Sequence, residues 1–294
     1  MILLLVTVIV IILLLLVEKK KKYVFVDETE PLNRSIGNFM SDLFFQIGNS
    51  WSKGETYTWK DKDKARNEFY KNLPEVYPVP KGANIPSYTS HEDDAPSVSA
   101  WTVDTDEGKK FWNAMKPYIH DILDEAFIKS GLRIYQSNPI IHFRCSDVPF
   151  NRQPWYHLAK YNFYKKALDG YSKVDIMSCN THISSSKEQE MCKKFADLLS
   201  KELEPVKVNL VCGNYIEDFA KMFYAPLVVS PGSSMSFMAG YFGHGKLITT
   251  GHFKEGTASE CKVCEGDKSD VLLHADVPDY YNVDEVNKML KDDK

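Results

Sequence analysis

The chain has 294 residues, enough for two domains, and an apolar content of 44% suits a packed globular protein. Its net charge of −4 becomes −7, 32 basic against 39 acidic residues, once Glu18 and Lys19 to Lys22 are set aside. That balance excludes a general nucleic-acid binder, whose footprint is a basic stripe, so an anionic ligand must be held by local groups.

Ile2 to Val17 is apolar except for Thr7, and Lys19-Lys20-Lys21-Lys22 follow almost at once. At 1.5 Å per residue this run spans about 24 Å, short of the ~30 Å hydrocarbon core, a gap that lysine snorkelling and local thinning can close. No basic n-region or small-residue cleavage site is visible, so residues 1–22 read as an uncleaved anchor that attaches the protein to a membrane through residues 2–17. Four lysines on the far flank predict a cytosolic body. Asn33-Arg34-Ser35 is a glycosylation sequon and points instead to the ER or Golgi lumen. The cysteines at 145, 179, 192, 212, 261 and 264 form no evident disulfide framework, and several lie in apolar patterns, as buried free thiols do.

Tyr23 to Asp27 reads as a strand, and Ser35 to Gly48 as an amphipathic helix with Ile36, Phe39, Met40, Leu43, Phe44 and Ile47 on one face. From Asn49 to about Val103 the chain is polar, aromatic and proline-rich, which predicts loops and short helices. A helix is expected over 106–129, with Phe111, Met115, Ile119, Ile122, Leu123 and Phe127 turned inward. The second half alternates: strands at 138–143, 174–178, 206–212, 227–230 and 247–250, and helices at 155–168, 186–203, 215–224 and 233–242. Such alternation indicates parallel βαβ units. The domains that follow are an anchor (1–22), an amino-terminal lobe (23–135), a Rossmann-like lobe (136–275) and a tail carrying a short surface helix (276–294).

Three segments could carry chemistry. Ile140-Ile141-His142-Phe143-Arg144-Cys145-Ser146-Asp147 is an apolar strand ending in polar groups, and ligands bind outside the carboxyl ends of strands in open α/β sheets. An arginine there can grip a phosphate through two parallel charge-assisted hydrogen bonds, a geometry a lysine lacks. Asp147 could hold that arginine, or orient or deprotonate an acceptor hydroxyl. Ser230-Pro231-Gly232-Ser233-Ser234-Met235-Ser236-Phe237 joins an apolar strand to a helix, whose first N–H groups attract anions. A serine N-cap needs only one hydroxyl, and here there are several. Gly37-Asn38 opens the first helix, a pair that a turn alone would explain. Glu217-Asp218 suits a helix dipole and lies near enough to contact a ribose. Cys261-Lys262-Val263-Cys264 with His252 is one ligand short of a closed zinc site, so no metal is expected. Trp51, Trp59 and Trp101 could stack on sugars or fill a core. His157 and His182 read as ordinary histidines.

These segments, in this order, resemble the fucosyltransferases of the family that includes α-1,2-fucosyltransferases and, more distantly, the protein O-fucosyltransferases. The family's Gly-Asn-Gln-like turn corresponds to Gly37-Asn38-Phe39, its His-x-Arg-x-Gly-Asp-like segment to His142–Asp147, and its Tyr-Tyr-x-x-Ala-like helix to Phe163–Ala167. An Asn-Ser-Ser-Phe-Ser-like helix start corresponds to Gly232–Ser236, and a strand ending in Ser-Asp to Ser178-Cys179-Asn180. The likeness covers most of the chain beyond residue 30. It implies a GT-B-like α/β fold of two Rossmann-like lobes, with the nucleotide-sugar donor in the carboxyl-terminal lobe. It also implies inverting, metal-independent transfer of a sugar, fucose first, to a glycan or glycoprotein acceptor. Arg144 and Asp147 would be catalytic, and Gly37, Asn38, His142, Arg144, Ser178, Asn180, Ser233, Ser234 and Ser236 would hold the donor. Phe39, Ser146 and Cys179-Asn180 depart from the family pattern, so the donor could be UDP-xylose rather than GDP-fucose. Short membrane-anchored enzymes of this look also occur in large viruses of algae. The alternative from another class is a carbohydrate-binding protein that has kept the fold and lost turnover.

Overall fold

Apolar, β-branched runs separated by amphipathic helices bury both faces of a sheet best as parallel strands with helical crossovers. The computed structural model describes residues 36–60, 62, 65, 67–88, 105–145, 157–178, 186–250, 266, 268–273, 276–277 and 279–291. In chain order these form α1 (Ile36–Ser52), β1 (Tyr57–Thr58), α2 (Glu68–Asn72), β2 (Val76–Tyr77) and α3 (Asp106–Lys129). Next come β3 (Ile140–His142), β4 (His157–Ala159), α4 (Tyr161–Ala167), β5 (Lys173–Met177), α5 (Ser186–Glu202) and β6 (Lys207–Val211). The last are α6 (Tyr215–Tyr224), β7 (Leu227–Ser230), α7 (Ser234–Phe242), β8 (Lys246–Thr249), β9 (Val271–Leu273) and α8 (Val283–Lys291).

The central sheet has five parallel strands in the order β6-β5-β3-β7-β8. Counted by first appearance that is 3-2-1-4-5, the order of a doubly wound nucleotide-binding sheet. The chain starts in the middle with β3, winds outward through β5 and β6, then returns to lay β7 on the other side of β3. The crevice between β3 and β7 is therefore the topological switch point. Period-two alternation assigns the faces. Ile140, Met177 and Val228 enter one core with α1, α3, α6 and α7, whereas Ile141, Ile176 and Val229 enter a second core with α4, α5 and α8.

The expected helix over 106–129 is found at Asp106–Lys129, with Thr105 Oγ1 accepting from the Gly108 N–H at 3.0 Å as its N-cap. Phe111, Met115, Ile119, Leu123 and Phe127 are fully buried. The amino-terminal region differs from expectation. Among the described residues, 36–129 contain the antiparallel pair β1–β2 and no parallel sheet, so a second Rossmann-like lobe is not seen there. The reason is packing: Phe44, Phe69, Tyr70, Phe111, Trp112 and Phe127 share one core with α6 and α7 and roof one face of the five-stranded sheet. Trp51 and Trp59, each 5% exposed, belong to that core and are not sugar platforms. Trp101 lies outside the described residues.

The helix expected over 155–168 is shorter, because His157–Ala159 is the strand β4, paired antiparallel with β9. All three of its residues are buried, and β9 supplies backbone partners there. The cysteines also differ from expectation. Cys145 and Cys192 form a disulfide with Cα atoms 5.5 Å apart, and Cys212 is disulfide-bonded too, so no described cysteine is a free thiol. The tail helix exists as α8, but it buries Val286 and Leu290 against the second core. The anchor, the 23–27 strand and the Asn33 sequon lie outside the described residues, among which no helix is long and apolar enough to cross a membrane.

Leu199, fully buried on α5, tests the second core. Leu199→Ala is expected to lower stability by about 2–5 kcal/mol, read as a lower urea midpoint with unchanged slope.

Candidate functional site

The two chemistry-bearing strands of the sequence turn out to be neighbours. Ile141 pairs with Val229, so His142 and Ser230 each follow the last paired residues of β3 and β7 at their carboxyl ends. By alternation His142 lies on the same side as Ile140, the side covered by α7. Ser230 shares that side, since its Oγ lies 2.5 Å from Ser236 Oγ on α7.

The turn into α7 is built for close approach. Gly232 has φ +92°, which only glycine adopts without strain, and Ser230, Ser233, Ser234 and Ser236 are between 0% and 5% exposed. Ser233 occupies the N-cap position, yet its hydroxyl makes no capping hydrogen bond. The simplest account of these serines, a capping hydroxyl at Ser233, therefore does not hold. Ser236 Oγ donates to the Ser233 carbonyl at 3.2 Å and braces the turn. The helix start is left as a set of backbone donors carrying the dipole's partial positive charge.

Gly37 is brought to the same place. A Cβ on Gly37 would sit 2.2 Å from Met235 N and 2.5 Å from Ser234 C, so the starts of α1 and α7 touch backbone to backbone. Asn38 follows at this contact, half-buried. Phe39, which departs from the family pattern, turns into the core against Trp59 (5.4 Å) and Tyr70 (5.3 Å). Ser41, one turn on and fully buried, has no hydrogen-bond partner for its hydroxyl among the described residues. Only its burial marks it out, and nothing in the sequence pattern signals it.

Arg144 lies just beyond β3 and is half-buried. Its charge reaches His142. Burial first, and then Arg144, lower the His142 imidazole from 6.5 to about 3, so the ring is neutral. Part of that side chain reaches the surface, but its Nδ1 is buried and has no hydrogen-bond partner among the described residues. Ser178 follows Met177, the register partner of His142, and is half-buried at the same end of the sheet. Gly37, Asn38, His142, Arg144, Ser178, Ser233, Ser234 and Ser236 thus all lie at the carboxyl end of the sheet or at the α1–α7 contact beside it. Asp147, Asn180, His182, His252, Cys261 and Cys264 lie outside the described residues. Among the described residues no group of His, Cys, Asp and Glu could hold a metal ion.

Glu217 and Asp218 differ from each other. Asn214 caps α6 by accepting from the Ile216 and Glu217 N–H groups, while Asp218 is buried and accepts from the Gly213 N–H at 3.3 Å. Burial pushes its carboxyl up, with Lys221 at 3.6 Å and the Gly213 amide pulling the other way. Asp218 therefore braces the β6–α6 turn. His157 is likewise structural, with Nε2 2.8 Å from Thr250 Oγ1 in the interior.

Comparison with protein-family models, with curated proteins and with solved structures finds no match.

Two outcomes follow. Gly37→Ala drives a methyl group into Met235 backbone, so α1 and α7 must separate; the expected cost is about 1–3 kcal/mol or more, measured by urea unfolding. His142 has a folded value below its unfolded one, so its contribution to stability is present above pH 6.5 and is lost as pH falls toward about 3. His142→Asn should remove up to about 1.4 kcal/mol of slope per pH unit across that window, measured as the difference between variant and wild-type urea titrations.

Proposed function

We propose that the protein is an inverting, metal-independent glycosyltransferase that takes a sugar, fucose first, from a nucleoside-diphosphate donor to a glycan or glycoprotein acceptor. The observation that carries the donor half is the switch point itself: a helix start with no side-chain cap and buried serines follow β7, and an arginine follows its neighbour β3. Diphosphate suits this arrangement, because backbone N–H groups and a planar guanidinium can share its charge. The sugar-transfer half rests on the resemblance of the His142–Asp147 and Gly232–Ser236 segments to fucosyltransferases. In that reading the five-stranded parallel sheet is the donor-binding lobe, and residues 36–129 lie on the acceptor side.

The chemistry assigns each group a task. An acceptor oxygen attacks the anomeric carbon from the face opposite the diphosphate, the bond to the diphosphate oxygen breaks, and the nucleoside diphosphate departs with the electron pair. Arg144 and the α7 start stabilise the charge developing on that leaving group. The acceptor proton passes to a base, for which Asp147 is the candidate. Neutral His142 can shape the donor pocket without adding a second positive charge beside Arg144. For the compartment, the disulfides at Cys145–Cys192 and Cys212 favour a body in the ER or Golgi lumen over the cytosolic side suggested by the lysine flank, since disulfides persist where conditions are oxidising.

Thermal-shift and calorimetric titration with GDP, UDP, GDP-fucose and UDP-xylose test the donor site. One nucleotide family should stabilise the protein, and Arg144→Ala should weaken that binding by about 2–5 kcal/mol, roughly 30-fold or more. Arg144→Lys should recover only part, because it loses the paired hydrogen bonds. Absence of any shift from folded wild-type protein would sink the donor reading. Binding without donor hydrolysis or transfer would favour the carbohydrate-binding alternative.

A further inference from the structure

Arg144 stands between two attachments. On one side the Phe143 N–H donates to the Met177 carbonyl at 2.8 Å, the last backbone bond from this segment to β5. On the other, Cys145 is covalently joined to Cys192, in the second turn of α5 and 47 residues away. Residues 143–145 have no regular secondary structure, and one backbone bond and one covalent bond flank Arg144 there. Phe143 and Cys145, 4% and 1% exposed, both pack into the second core with Cys192, which is fully buried. Arg144, half-buried, lies between these two inward-packed neighbours, and its charge acts on His142.

We propose that the Cys145–Cys192 disulfide is a positioning device for Arg144: it fixes the residue after β3 so that the guanidinium is held ready at the switch point, and ligand affinity depends on the cross-link. Neither cysteine touches the ligand. The inference rests on the donor-site reading for its ligand but not for its mechanics. An arginine on an unanchored strand extension would have to be ordered at binding, and that cost comes directly out of affinity. The placement also separates this bond from a general staple. It leaves from the residue next to the anion-binding group and ends on a helix of the opposite core layer.

The test uses the full 294-residue chain as wild type, as the paired variant Cys145→Ala/Cys192→Ala, and as Leu199→Ala. Leu199→Ala weakens the same α5 packing but leaves the cross-link intact. Calorimetry with UDP and GDP gives the affinities, and urea midpoints give the loss of stability in each variant. The expected result is binding weaker by on the order of tenfold in the paired variant, with Leu199→Ala, comparably destabilised, unchanged within about twofold. Unchanged affinity in the paired variant overturns the inference. So does an equal loss in both variants, which would make the bond a stability element only. If wild type binds neither nucleotide, the donor reading fails, and hydrogen exchange judges the positioning by itself. Exchange of the Phe143 amide should then rise on the order of tenfold in the paired variant alone, and an unchanged rate overturns the inference.

Discussion

β3 takes parallel partners on both sides, β5 through Ile140–Asp175 and β7 through Ile140–Val228, and it is only three residues long. A strand so placed has both hydrogen-bonding sides occupied and both faces covered, so its residues have no freedom of register. The next residues must leave the sheet at one point, between the exits of β5 and β7. Every group at the site inherits that constraint. Arg144 is placed by β3, Ser178 by β5, the serine turn by β7, and α1 is drawn in by the absence of a side chain at Gly37. Asp175 supports the same strand from below: it accepts from Gln136 Nε2 at 2.8 Å and Asn138 Nδ2 at 3.1 Å, holding the approach to β3 against β5.

Much of this was legible in the chain, and the failures have physical causes. Long periodic segments declared themselves: α3 begins and ends where its apolar stripe predicts, and the buried face of α1 is the face that the pattern assigns. The site was legible because strand ends and helix starts are local features, and both 140–144 and 230–236 show them. Strand β4 was not, since three residues leading into an amphipathic helix look helical until a partner from 271–273 is known. The disulfide left no signal either. Cys145 and Cys192 have the surroundings of ordinary buried apolar residues, and only the three-dimensional meeting of β3 and α5 brings them together. Phe39 shows the reverse case, a departure from a motif that the core explains.

Against the acidic body, the polar groups at the carboxyl ends of β3 and β7 are local ones: backbone amides, serine hydroxyls and Arg144. The other histidines show how differently the same side chain is used. At the entering ends of β7 and β8, His120 Nδ1 lies 2.8 Å from the Phe242 carbonyl oxygen, and Asp124 accepts from Tyr224 Oη at 2.7 Å. Burial raises the Asp124 carboxyl, but the hydrogen bonds from Tyr224 and His244 outweigh it and hold the group below its ordinary value. That cluster ties α3 to the turns beneath the sheet, on the side away from the switch point.

The pairing of β4 with β9 bears on how the molecule comes into being during synthesis. All five strands of the parallel sheet, and with them the crevice between β3 and β7, are present once the chain has been made to Thr249. β4 is made early but finds its partner only when Val271–Leu273 emerges, and Tyr161 reaches its hydrogen-bond partner, Asn287, later still. Until then Leu158, Tyr161 and Phe163 must wait with apolar surface uncovered. A growing chain therefore passes through a stage in which the crevice can form while the flank beside it is still open and sticky. β9 and α8 together work as a clasp over this flank.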